Sequence, residues 1–218
     1  MTRRAPSPAV RLAGNFAAFA VLACAVSASA SDTVDRRCYR NDEFTVLVRP
    51  NQVGNTHTVR KSTSALKVDC MFEERASDTV IGDDEPYFYV ALRGPYLILD
   101  YGTSPDRMVF IFDVRTGKPL LEASYGGVNV DPSDGGMSDD FRYDDSSLTF
   151  WRVTRVPPTA QNCPDIRKRG AGGLQVVILE KSVFHFATAK LENLKARRCA
   201  PSQGGPGPPY KINGVPQE

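Results

Sequence analysis

The sequence predicts an all-β or nearly all-β protein: an antiparallel meander sheet or sandwich held by two disulfides, with at most one short C-terminal helix. Three observations carry this expectation. Short runs rich in β-branched and aromatic residues recur along the chain, most of them end at Gly, Pro, Asn or Asp, and four cysteines remain once an N-terminal leader is set aside.

Residues 1–30 carry Arg3, Arg4 and Arg11 and no acid, then an apolar run from Phe16 to Val26, then Ala28, Ser29 and Ala30 ahead of Ser31. A basic start, an apolar centre and small residues make a cleavable secretory signal. The run is too short to span a bilayer, which takes about 20 residues, and no later stretch comes close, so no transmembrane helix is expected. Val21-Leu22-Ala23-Cys24 resembles the acylation box of bacterial lipoproteins, although Leu22 stands where that box favours a small residue. That resemblance implies a lipid anchor through Cys24 as the alternative to plain export. Arg3-Arg4 partly resembles a twin-arginine signal, but Ala5 and Pro6 follow it. The expected destination is the periplasm or the medium.

The organisation that follows is a signal at 1–30, one β-rich domain at 31–200 and a Pro/Gly-rich tail at 201–218 read as disordered. Loss of the leader removes three arginines and Cys24, turning the formal charge from +2 to −1. Global charge therefore argues against nucleic acid as the partner. Cys38, Cys70, Cys163 and Cys199 remain, an even number in an exported chain, so disulfides are expected. Of the three possible pairings, Cys38–Cys70 and Cys163–Cys199 are favoured because each closes a local loop, worth about 3.5–4 kcal/mol in the chain-entropy model.

Strands are expected at Phe44–Arg49, Leu66–Phe72, Pro86–Arg93, Tyr96–Tyr101, Arg107–Asp113, Leu120–Tyr125, Leu148–Thr154, Leu174–Glu180 and Val183–Thr188. Lys190–Arg198 is the helical candidate. Gly117 in Arg115-Thr116-Gly117-Lys118 suits the positive φ of a tight hairpin. A two-residue turn at Gly94-Pro95 pairs Arg93 with Tyr96 and Ala91 with Ile98, which puts Phe88, Val90, Leu92, Leu97, Leu99 and Tyr101 on a core face. Tyr87, Tyr89, Arg93, Tyr96 and Asp100 then share the other face, suited to protein or glycan contact unless a second layer covers it. Ile111 to Leu120 looks like one hairpin of a β-propeller blade, but the resemblance covers ten residues and does not recur at a blade-length period.

Charge is uneven: residues 78–146 carry a net −9 and residues 151–200 a net +7. The basic stretch, with Arg167, Lys168, Arg169, Arg197 and Arg198, is suited to steer an anionic glycan or acidic protein if the two regions lie apart. Catalytic signals are thin. No Gly-x-Ser-x-Gly occurs, and Ser124, flanked by Glu122 and Gly126, makes an incomplete elbow. His185, between two phenylalanines, reads as structural, and His57, near Gly54 and Asn55, reads as a solvated side chain in a turn. Phosphate-binding glycine loops are missing. Asp131, Asp134, Asp139, Asp140, Asp144 and Asp145 are hard oxygen ligands on a Gly-containing stretch, a calcium candidate whose spacing does not fit an EF-hand and which reads better as a solvated loop.

No catalytic, cofactor-binding or metal-ligating residue is assigned. The expected function is that of an exported non-catalytic binding protein engaging an envelope component, a glycan or an enzyme. The alternatives are a secreted carboxylate-dependent hydrolase and a structural envelope component.

Overall fold

A computed structural model describes residues 35–102, 107–126, 141–170, 173–202, 205 and 207–217. Residues 1–30, read above as a leader, and Asp131, Asp134, Asp139 and Asp140 of the acidic stretch lie outside them. Two antiparallel sheets make up the described chain. The first is a four-stranded meander of β1 (Arg37–Arg40), β2 (Phe44–Pro50), β3 (Asn55–Lys61) and β4 (Thr79–Ile81). A short helix, α1 (Leu66–Asp69), and an irregular loop join β3 to β4. The second sheet begins with β5 (Tyr87–Arg93), β6 (Tyr96–Tyr101), β7 (Arg107–Asp113) and β8 (Lys118–Tyr125). It continues through β10 (Ser147–Val153), β11 (Gln175–His185) and β12 (Lys190–Ser202), in the order β12-β11-β10-β8-β7-β6-β5. A short β9 (Phe141–Tyr143) pairs with β10. A second short helix, α2 (Ile166–Arg169), lies between β10 and β11.

Both faces of the second sheet are buried near its middle, because alternate residues of β6 and β7 point to different cores. Leu97, Leu99, Phe110 and Phe112 pack against Phe44, Val46, Val48, Val59 and Ile81 of the first sheet. Ile98, Val109 and Ile111 face the other way, toward Phe141, Leu148, Phe150 and Phe184. The sheet curls to make that second core, bringing the Tyr96 ring of β6 within 5.1 Å of Phe186 at the end of β11. Removing a fully buried ring here, such as Phe150, is expected to cost about 3–5 kcal/mol.

The disulfides join Cys38 to Cys70 and Cys163 to Cys199, the pairing expected from loop length. The first fixes the irregular loop to β1. Arg60 organises the same loop from within: its buried guanidinium binds both carboxylate oxygens of Asp78, at 3.1 and 2.6 Å, and the carbonyls of Asp69, Met71 and Glu73. The expected strand at Leu66–Phe72 is replaced by α1 and irregular backbone, with the Asp69 and Met71 carbonyls turned to Arg60 instead of a neighbouring strand.

Other expectations are corrected. Lys190–Arg198 is strand, not helix, and pairs with β11 along its length apart from a bulge beside Lys181. The two strands expected between Leu174 and Thr188 are the single β11. The segment read as a disordered tail carries β13 (Lys211–Ile212) and β14 (Val215–Pro216); β13 pairs with β8, and Lys211 Nζ lies 2.7 Å from Glu122 Oε2. It fits there because β8 meets β10 at a single residue pair, Tyr125 with Arg152, leaving the rest of that edge open to β13. The blade-like stretch is the β7–β8 hairpin of a continuous sheet, with Gly117 at φ +68°.

Candidate binding cleft

At the edge strands β1 and β5 the two sheets leave an open cleft of about 260 Å³. It is lined by Asp35, Arg37 and Tyr39 from the first strand and its approach, by Val48, Pro50 and Asn55 from the β2–β3 hairpin, and by Phe88 and Tyr89 of β5. A β-bulge turns Tyr89 toward it. The Gly94-Pro95 turn pairs Arg93 with Tyr96 and Ala91 with Ile98 as expected, but Val90 is then skipped and Tyr89 pairs with Leu99. One extra residue reverses the facing of everything before it. Val90 and Ala91 therefore both enter the core shared with Phe150, while Tyr87 and Tyr89 turn toward the first sheet beside Leu97 and Leu99.

The tyrosine-rich face expected on one side of the hairpin is thus split, and a second layer, the alternative already weighed for this face, covers part of it. Tyr87 packs edge-on against Phe110 and Phe112. Tyr89 stacks on Tyr39 with centroids 3.7 Å apart and planes 8° from parallel, and both rings remain half-buried at the cleft. Burial, then the neighbouring Tyr39, pushes the Tyr89 phenol above its ordinary pKa. Asp100, expected on that face, is buried on the other: its Oδ1 accepts from Arg107 Nε at 3.1 Å and from the Tyr125 hydroxyl at 2.9 Å.

Charge and amide groups complete the cleft. The Arg37 guanidinium lies 2.6 Å from Asp35 Oδ2 and holds that exposed carboxyl below the usual carboxylate range. Asn55 donates from Nδ2 to the Tyr87 carbonyl at 3.3 Å, tying the β2–β3 hairpin to β5. Gly54 lets that hairpin close: a Cβ there would stand 2.8 Å from the Pro86 Cα, and backbone atoms cannot swing aside. Aromatic faces, a fixed ion pair and an amide in one concave place suit a ligand that has both apolar C–H faces and hydroxyls.

The remaining candidates are dispersed. His57 is not a solvated turn residue; it lies on β3, fully buried, and among the described residues neither ring nitrogen meets a hydrogen-bond partner. Burial lowers its pKa to about 4. His185 is a half-exposed strand residue with Nε2 3.3 Å from Glu192. Ser124 lies within β8 opposite Met108. Asp144 caps the β9–β10 turn, its Oδ1 accepting from the Ser146 and Ser147 amides at 2.7 and 2.8 Å, and Asp145 is exposed near Arg93. Among the described residues no group of three or more His, Cys, Asp or Glu side chains is placed to hold a metal ion. Tyr39, Arg37, Asp35 and Asn55 were not singled out as site residues from the sequence; for Asp35, Arg37 and Tyr39 the one signal available was their closeness to Cys38, which anchors β1, and for Asn55 there was none.

Compared with models of protein families, curated proteins and solved structures, the chain finds no match in any of the three.

Proposed function

We propose that this chain is an exported, non-catalytic binding protein that takes a glycan unit in the cleft between β1 and β5. The observation that carries this reading is the convergence of Tyr39 and Tyr89 with the Arg37–Asp35 pair and Asn55 around a volume of about 260 Å³. A sugar ring offers C–H faces that pack on aromatic rings and hydroxyls that pair with planar amide, carboxylate and guanidinium groups. Export is supported by the two disulfides, which persist in oxidising compartments, and by the leader-like residues 1–30. Among the described residues, no helix is long and apolar enough to cross a membrane.

The test is a glycan array followed by calorimetry of the strongest binder. Arg37→Gln and Asn55→Ala are each expected to weaken binding about tenfold, one charge-assisted or neutral hydrogen bond's worth; the thermal midpoint should be nearly unchanged for Arg37→Gln and lowered for Asn55→Ala, which also loses its tie to the Tyr87 carbonyl. Turnover of the bound glycan, or affinity indifferent to both substitutions, contradicts the proposal.

A further inference from the structure

The face of the first sheet that borders the cleft sorts its side chains by chemistry. β1, β2 and β3 pair without a break in register, so residues two apart on one strand, or opposite one another on neighbouring strands, share a face. Arg37 stands opposite Val48, and Pro50 opposite Asn55. These four therefore belong to one face, and all of them line the cleft. Tyr39, two residues beyond Arg37, brings its stack with Tyr89 to the same side.

Asn55 is the informative member. Its Nδ2 donates to the Tyr87 carbonyl at 3.3 Å, which fixes the plane of the amide and leaves Oδ1 without a hydrogen-bond donor among the described residues. That oxygen can only accept. Pro50 lies directly across the hairpin from it and Val48 on the diagonal, so apolar carbon borders the acceptor. An N–H that carries a small apolar group satisfies both neighbours. Beyond the apolar pair, two strand spacings or ~10 Å from Asn55, β1 supplies Tyr39 and the Arg37–Asp35 pair.

We infer that the cleft selects a 2-acetamido sugar: the acetamido N–H donates to Asn55 Oδ1, its methyl group rests on Val48 and Pro50, and the pyranose ring reaches toward Tyr39 and Tyr89. This inference rests on the reading of the cleft as a glycan site and narrows it. A plain hexose could donate a hydroxyl to Asn55, but it would leave the Val48 and Pro50 carbons against water. An alanine-containing peptide offers the same N–H and methyl, yet it has no ring face for the tyrosines and no hydroxyls for Arg37 and Asp35.

The experiment compares, by calorimetry on the full chain, three tetrasaccharides that share a backbone and differ at C2: the N-acetylglucosamine tetramer of chitin, its de-N-acetylated form and cellotetraose. The acetylated tetramer is expected to bind about tenfold tighter than either of the others, the worth of one buried methyl and one hydrogen bond. Asn55→Ala and, on an exposed side chain, Pro50→Ser should each shrink that preference to about twofold or threefold. Each ratio is taken within one variant, so the lower stability of Asn55→Ala does not enter it. A peptidoglycan tetrasaccharide, whose alternate sugars carry a lactyl carboxylate, separates an acidic from a neutral source of the acetamido group; tighter binding of either acetylated polymer than of cellotetraose supports the inference. Equal affinity for the acetylated tetramer and cellotetraose, or a preference untouched by both substitutions, overturns the inference while the glycan reading stands. No affinity for any saccharide overturns both. Tighter binding of acetylated trialanine than of every saccharide gives the site to a peptide and likewise overturns it.

Discussion

His57 lies between Val48 and Ile81 in the register of the first sheet, where burial holds its pKa at about 4 against 6.5 for the exposed group. Between those values the unfolded chain takes up a proton that the folded chain refuses. This contribution to stability is therefore complete above about pH 6.5 and is lost progressively as pH falls toward 4, by about 3 kcal/mol at most. His57→Leu should flatten that part of the pH dependence, measured by urea unfolding at a series of pH values; an unchanged slope contradicts the assignment. At Gly54 the expectation comes from geometry alone: Gly54→Ala must push a Cβ into the Pro86 and Tyr87 backbone and should destabilise by about 1–3 kcal/mol. Tyr125→Phe removes one of the donors to buried Asp100 and should cost about 1–3 kcal/mol in thermal or chemical unfolding.

Elements were legible where they obey period-two alternation and a single turn type, as in β6, β7, β8 and β10. They were illegible where a long-range contact overrides the local pattern. Leu66, Val68, Cys70 and Phe72 alternate like a strand, but the Cys38–Cys70 bond and the carbonyls taken by Arg60 impose α1 instead. Leu191 and Leu194 sit at a helical spacing, yet the free edge of β11 and the Cys163–Cys199 bond draw Lys190–Ser202 into a strand. The bulge at Val90 left no mark, because Val90 and Ala91 are both apolar and either suits a core. That one residue decides which way Tyr87 and Tyr89 face, so the candidate cleft could not be read although two of its aromatic residues had been noticed. The β13–β14 hairpin was hidden by Pro and Gly that read as tail. Truncation after Ser202 should expose the β8 edge and the core beneath Tyr210 and Ile212, lowering the melting temperature by several degrees. An unchanged melting temperature would mean that the hairpin does not stabilise the sheet.

At the scale of the whole molecule, two sheets share one core, and the second sheet curls to enclose another. The aromatic cleft lies at edge strand β5, and the Trp151–Arg198 contact involves edge strand β12 at the other end of the sheet order. Positive residues along β12 also discourage edge-to-edge association of copies. The staples should matter globally: replacing Cys38 and Cys70 together by Ser is expected to cost about 3–4 kcal/mol, seen as a lower denaturant midpoint. The role of the cleft is tested most directly by mapping backbone NMR shifts of the protein as the strongest array glycan is added, with the glycan's mass followed in the same tube. Perturbations concentrated at residues 35–39, 48–55 and 88–89, with the glycan intact, are the predicted result. Perturbations confined to other residues, or cleavage of the glycan, would contradict it.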